Sequence, residues 1–251
     1  MSCEERIDVI DRRMVTIGDQ SAVVEMRTDK FEVELFDQIF TRQSFSLARL
    51  RRMSQLNAFY ADSIQTGWTP LIIDLGANIG LSAVYFSLIW SEAKVLAIEP
   101  EANNYERLLV NTTLRPQIIP YQCAASCRHE RVEIANPDTD PVGFQTRPSQ
   151  NGDIETITIQ DLLGQFPLSD RYLPFIIKID IEGYEAVLFE LNCEWIDQFP
   201  LLIAELHDWA LPSQGLSRNF LKAMAERDRD FVYIGENIFS IKNELGLFAQ
   251  D

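Results

Sequence analysis

No stretch of this 251-residue chain approaches the roughly 18 consecutive apolar residues that a membrane-spanning helix needs. An integral membrane protein is therefore not expected. Positive charge is also short, with 22 lysines and arginines against 38 aspartates and glutamates and a formal net charge of −16. A surface field of that sign repels phosphate backbones, which argues against nucleic acid or an anionic membrane surface as a partner. The local exception, Arg42, Arg49, Arg51 and Arg52, reads as a solvated helix face. Cysteine is sparse and wrongly spaced for metal: Cys3, Cys123, Cys127 and Cys193 form no Cys-x-x-Cys pair, and His129 completes no zinc spacing with Cys123 and Cys127. Free thiols are the expectation. Residues 1–5 are polar and acidic rather than signal-like, so a cytoplasmic location is expected. Internal repeats and low-complexity tracts are absent.

What is present is a globular composition, 46% hydrophobic and 24% charged, in a chain long enough to bury one full core. Short apolar runs at residues 71–75, 94–98, 117–123, 175–180 and 201–206 alternate with helical patterns. This alternation predicts a mainly parallel α/β sheet covered on both faces. Leu81, Val84, Tyr85, Leu88 and Ile89 make one helical stripe, Tyr184, Val187, Leu188 and Leu191 a second, and Leu216, Phe220, Ala223 and Met224 a third. Two closing strands at 231–234 and 238–241 flank the hairpin signal Gly235-Glu236-Asn237. The expected fold is thus α/β, a Rossmann-like seven-stranded sheet over residues 69–251 with helices on both faces. Residues 1–68 read as an N-terminal cap, with β-like runs at 14–26 and 31–36 and a helix over 44–64. Residues 136–152 concentrate Pro137, Pro141, Gly143, Pro148 and Gly152 and predict a long irregular loop. That loop and the 44–64 helix are expected to cover an acceptor pocket.

The most specific local signal is Ile72-Ile73-Asp74-Leu75-Gly76-Ala77-Asn78-Ile79-Gly80, an apolar strand entering a glycine turn before a helix. Gly76 and Gly80 would let the backbone approach a bound group, Asn78 tolerates a left-handed conformation, and the helix N-terminus offers free N–H groups. The spacing is Gly-x-x-x-Gly, not the Gly-x-Gly-x-x-Gly fingerprint of pyrophosphate-binding dinucleotide folds. Glu99 follows the second strand, 23 positions after Gly76, where an acid meets ribose hydroxyls in such folds. The alternative role for Glu99 is capping the helix that follows. Together these features indicate adenosine joined to something other than pyrophosphate.

The blocks Asp74-Leu-Gly-Ala-Asn-Ile-Gly80, Ile98-Glu99-Pro100, Ala124-Ala-Ser126 and Ile177-Lys-Ile-Asp180-Ile-Glu-Gly183-Tyr-Glu185 occur in this order and resemble the FkbM family of methyltransferases. The resemblance covers residues 70–208 and leaves the N-terminal cap unmatched. It implies S-adenosylmethionine as methyl donor and a hydroxyl acceptor on a sugar or other small natural product. It also implies that Asp74, Gly76, Asn78 and Gly80 line the methionine half, that Glu99 binds the ribose, and that Ala124 and Ser126 flank the adenine. Cys123 reads equally well as a small buried apolar residue.

In open α/β sheets ligands sit beyond the carboxyl ends of the strands, near the switch in strand order. The ends concerned are Asp74, Asp180 and His207. A carboxylate closing an apolar strand needs a partner or a task, so Asp180 and His207 are the catalytic candidates. Glu182 and Glu185 read equally as helix-capping acids. Methylation of oxygen requires in-line positioning and removal of the hydroxyl proton, which Asp180 or His207 could accept. Metal-free chemistry is the expectation. A divalent ion on Asp180, His207 and Asp208 is the alternative. A non-catalytic adenosyl-binding module could dispense with Asp180 and His207, and a base-methylating enzyme would carry an Asn-Pro-Pro-Tyr type motif, which is absent.

Overall fold

The computed structural model describes residues 9–137 and 143–246. The chain opens with an antiparallel hairpin of β1 (Ile10–Ile17) and β2 (Gln20–Arg27), followed by α1 (Lys30–Phe36), which runs into a π-helical turn, Asp37–Thr41. The β-like run at 31–36 is therefore a helix. Its cause is Asp29, whose side chain accepts from the Phe31 and Glu32 amides and supplies the N-cap. The expected helix over 44–64 also divides. Ser46 caps a single 3-10 turn, Leu47–Arg49, Leu50 is extended at ψ 127°, and only then does α2 (Met53–Gln65) begin.

The central sheet then builds in alternation: β3 (Thr69–Leu75), α3 (Leu81–Ile89), β4 (Lys94–Ile98), α4 (Ala102–Thr112) and β5 (Ile118–Tyr121). An insertion follows, with β6 (Ala124–Ala125), β7 (Arg131–Ile134), β8 (Thr146–Pro148) and β9 (Ile154–Ile157) in a small sheet of their own. The loop expected over 136–152 thus contains a strand, β8, paired antiparallel with β7, while residues 138–142 lie outside the described residues. The chain returns through α5 (Ile159–Gln165), β10 (Tyr172–Ile179), α6 (Glu185–Leu188), β11 (Leu201–Glu205), α7 (Arg218–Ala225), β12 (Arg229–Ile234) and β13 (Asn237–Lys242).

The seven-stranded sheet has the order β12-β13-β11-β10-β3-β4-β5. Its strands are parallel except β13, which runs antiparallel to both neighbours through a tight turn opened by Gly235 at φ +62°. Strand order reverses between β3 and β10, which sets the crevice at their carboxyl ends. Alternate residues feed two cores. Ile72, Tyr85, Phe86, Trp90 and Phe175 pack on one face, and Leu71, Ile73, Ile177, Trp195 and Phe220 on the other.

The N-terminal segment shares the first of these cores, contributing Val24, Met26, Ile39, Phe45 and Leu47. Polar ties reinforce it: the Arg52 guanidinium donates to Asp230, Asn243 and the Lys242 carbonyl at the far end of the chain. Asn111 on α4 accepts from the Glu25 amide at 2.6 Å and donates to the Glu25 and Ile79 carbonyls at 3.0 and 2.7 Å. This side chain joins the N-terminal hairpin to the turn beneath the crevice. Asn111→Ala strands three backbone groups and is expected to cost about 2 kcal/mol, on the scale of buried polar groups left unpaired, read as a lower urea midpoint at unchanged slope.

Candidate active site

A cleft opens where the strand order reverses. Gly76, Asn78, Glu99, Ala124 and Asp180 all line it. Asp74, Gly80 and Ser126 do not. Asp74 is fully buried beneath the turn, and the Ser126 hydroxyl donates to Glu130 at 2.9 Å, away from the cleft. The expected 136–152 segment does reach the cleft, through Phe144 and Thr146, and Leu35, Ile39 and Phe45 line it as well. Helix α2 instead packs behind the sheet, where Phe59 stacks on Phe175.

The two glycines have reasons that the sequence did not disclose. A Cβ on Gly76, at φ +74°, would lie 1.8 Å from the Asp180 carbonyl oxygen, so this glycine lets the ends of β3 and β10 touch. A Cβ on Gly80, at φ +89°, would lie 2.7 Å from the tip of the buried Leu108 side chain, which would have to shift. Both are packing requirements that shape the turn. Asn78 is left-handed at φ +50°, and its amide donates to Glu99 Oε2 at 2.8 Å, while the Glu101 amide donates to Glu99 Oε1 at 2.9 Å. Capping of α4 falls to Glu101, whose side chain accepts from the Asn104 amide. Glu99 is 5% exposed, and burial pushes its carboxyl up to about 7.

The sequence reading missed Lys178. Its position in an otherwise apolar strand, two residues before Asp180, was the available signal, because residues i and i+2 share a strand face. In the register of β3 and β10, Lys178 stands beside Asp74. Its ammonium lies 3.2 Å from Asp74 Oδ1 and 3.4 Å from Asp180 Oδ2, and donates to the Gly76 carbonyl at 2.8 Å. Burial works against this charge, but Asp74 and Asp180 outweigh it and hold the pKa above the ordinary lysine value. Asp74 also accepts from the Ser82 hydroxyl at 2.6 Å. Asp74 and Lys178 therefore form the floor of the site, and Asp180 rises from it into the cleft.

Glu205 was missed as well. The pairing of Ile179 with Ala204 sets Asp180, one step past β10, beside Glu205, the last residue of β11, and Glu205 and His207 are again two apart. His207 is 2% exposed. Its Nδ1 is 3.1 Å from Glu185 Oε1, and its Nε2 is 3.4 Å from Glu182, 3.6 Å from Asp180 and 3.8 Å from Glu205. Burial disfavours a charged ring, yet Glu182 and Glu185 outweigh it and push the His207 pKa up to about 11. A raised pKa favours the protonated ring, so of the two candidates for the base Asp180 is the better placed. Burial and the Asp180 charge push Glu205 up to about 8. Glu185 is no simple helix cap, because its Oε1 also accepts from the Ile181 amide at 3.1 Å. Asp208 turns away and accepts from the Ser217 amide at 3.0 Å. Burial pushes Cys123 up to about 12, which removes it as a nucleophile.

The family profile described as "Methyltransferase FkbM domain" matches residues 74–233, more than half of the chain and the whole of this cleft's strand ends. The chain belongs to the FkbM methyltransferase family. It is an enzyme of that class, built on the Rossmann-like sheet described above. The Hexuronic acid methyltransferase AglP of Haloferax volcanii is 27% identical over 172 residues, covering 63% of this chain and 67% of that protein. Among solved structures, the fibrillarin pre-rRNA processing protein of Methanococcus jannaschii aligns at 12% identity over 92% of this chain and 81% of its own, with a TM-score of 0.43. A methyltransferase from Geobacter sulfurreducens aligns at 13% identity over 87% and 92%, with a TM-score of 0.37. In this FkbM chain no helix among the described residues is long and apolar enough to cross a membrane.

Proposed function

We propose that this FkbM methyltransferase transfers a methyl group from S-adenosylmethionine to a hydroxyl oxygen of a sugar, free or within a glycan. The observation that carries the reading is one cleft walled by Glu99 on one side and by Asp180 and Glu205 on the other. S-adenosylmethionine supplies an electrophilic methyl on sulfur, so the protein needs to position the acceptor more than to activate the donor.

The chain's residues fit the donor. Each Glu99 oxygen accepts one backbone N–H, which leaves a second lone pair on each for a vicinal ribose diol. Gly76 and Asn78 shape the turn against the methionine portion, and Ala124 with Phe144 offers an apolar wall for a purine. On the acceptor side Asp180 is a half-buried carboxylate lining the cleft, and Lys178 beneath fixes its position. As the methyl–sulfur bond breaks, leaving S-adenosylhomocysteine, and the new C–O bond forms, Asp180 is placed to take the proton of the acceptor hydroxyl. A sugar acceptor agrees with the relative AglP, which is a hexuronic acid methyltransferase. The formal charge of −16 argues against a nucleic-acid acceptor and equally makes a strongly anionic one dependent on local neutralisation. Incubation with labelled S-adenosylmethionine and a panel of hexoses, hexuronic acids, nucleotide sugars and phenols tests the assignment. Label in a sugar ether is the expected result, and label only in phenols would overturn it.

Glu99 gives the donor half its own test. The ribose hydroxyls donate to a carboxylate, so binding requires the ionised form, whereas the free protein holds Glu99 near a pKa of 7. Affinity for S-adenosylhomocysteine should therefore be flat above about pH 8 and weaken toward about tenfold per pH unit below 7. The same raised pKa means that folding stability from this group is greatest below about pH 4.5 and declines as pH rises toward 7. Glu99→Ala should lose about 2 kcal/mol of binding and flatten the pH profile. Calorimetry at pH 6 and 8 reads both, and unchanged affinity in the variant would remove Glu99 from the ribose site.

A further inference from the structure

We propose that Asp180, Glu205 and His207 form a binding site for one divalent cation of the Mn²⁺ type, open toward the cleft, where it holds the acceptor's oxygens. The inference rests on the methyltransferase reading for its purpose but not for its chemistry.

One oxygen from each carboxylate and one ring nitrogen of His207 lie within 4.8 Å of one another. The arrangement is more than a group of acids, because the imidazole is oriented. Its Nδ1 is engaged by the fully buried Glu185, which leaves Nε2 facing Glu182 at 3.4 Å, Asp180 at 3.6 Å and Glu205 at 3.8 Å. A metal-bound histidine is held in this way, with its second nitrogen hydrogen-bonded to a carboxylate that fixes tautomer and ring plane. Glu205 supplies an independent indication. Its side chain is 12% exposed, yet its carboxylate accepts no hydrogen bond among the described residues. The His207 ring, at 3.8 Å, stands beyond hydrogen-bond reach, so burial leaves this carboxylate short of a hydrogen bond.

Charge points the same way. Asp180, Glu182, Glu185 and Glu205 all lie within 3.8 Å of one ring, while the nearby ammonium of Lys178 is already shared with Asp74. A dication neutralises such a cluster more completely than a single proton on the ring does. Two carboxylates favour a hard cation and the imidazole a softer one, and Mn²⁺ is compatible with both. The Nε2 separations of 3.6 and 3.8 Å exceed the roughly 3 Å expected between adjacent ligands bonded at about 2.1 Å. Small side-chain rotations close that gap. Asp180 and Glu205 line the cleft and His207 stands behind them, so the remaining coordination positions face the cleft and suit two neighbouring sugar oxygens. Asp208, which the sequence offered as a ligand, is engaged by Ser217 instead, and Glu205 takes its place.

Titration of the purified chain with MnCl₂ alone, followed by the loss of the free Mn²⁺ electron paramagnetic resonance signal, tests the site without donor or acceptor. One saturable equivalent is expected. Glu205→Gln should weaken it at least tenfold, and Glu185→Gln, which leaves the three ligands in place but frees Nδ1, by about 10- to 100-fold. Asp208→Asn should leave it unchanged. Circular dichroism and S-adenosylhomocysteine binding confirm that each variant is folded. Glu205→Gln is the deciding change, because that residue borders the cleft rather than the core. Absence of saturable Mn²⁺ binding into the millimolar range, or binding indifferent to Glu205→Gln, overturns the site. Failure of S-adenosylhomocysteine to bind while Mn²⁺ binds would strike the donor assignment and leave the cation site standing.

Discussion

Asp180→Asn is expected to lower turnover by about 10²-fold or more, the scale of a lost general base, while affinity for S-adenosylhomocysteine stays within about twofold. The substitution keeps the shape of the side chain and removes its charge at the point where the cleft wall meets the acceptor. Donor affinity should survive because Glu99 belongs to another strand end and is held there by the Asn78 and Glu101 amides. Single-turnover kinetics with saturating donor isolates the methyl-transfer step from release. Mn²⁺ titration of the same variant then separates the two ways in which Asp180 could act. Parallel loss of turnover and Mn²⁺ affinity assigns it as a ligand, and loss of turnover alone assigns it as a base. Full turnover in a folded Asp180→Asn protein would reduce Asp180 to a counter-charge for Lys178.

The sheet was legible because its strands are apolar runs too short for helices, and 94–98 matched β4 to the residue. Register was legible only in hindsight. Lys178 and Glu205 became visible once the pairings Asp74 with Lys178 and Ile179 with Ala204 stood next to one another, since each charge is explained by a neighbour more than twenty residues away. Asp74 and Gly80 were singled out for the right turn but for a role in binding. The structure places Asp74 against Lys178 and Gly80 against Leu108, beneath the turn. Helix α1 was misread because Phe31, Val33 and Leu35 alternate like a strand, and the Asp29 cap, a signal two residues outside the run, decided the conformation. His207 shows the opposite failure. Its position at a strand end was correct, yet its chemistry depends on four carboxylates, of which the sequence reading weighed three for other tasks and passed over Glu205.

Lys178→Met should be the most destabilising of these changes, by about 3 kcal/mol or more, the cost of removing one partner from a buried ion pair. Asp74 is fully buried, and its Oδ1 would lose the Lys178 ammonium, leaving the Ser82 hydroxyl on Oδ2. The carbonyl of Gly76 would lose its donor at the same time, in the turn that shapes the donor side of the cleft. Methionine fills much of the lysine stem's volume, so the loss should report charge rather than a cavity. Pairing the change with Asp74→Asn removes the stranded carboxylate. The double variant should recover a large part of the loss, because neutralising both partners leaves no uncompensated charge in the core. Urea unfolding of the two single variants and the double variant completes the cycle. Additive losses would mean that Asp74 and Lys178 do not stabilise each other, and that Lys178 is kept for Asp180 alone. A strongly non-additive cycle, with donor affinity falling in Lys178→Met although Lys178 lies beneath the turn, would show that the floor of the site holds the turn in its binding shape.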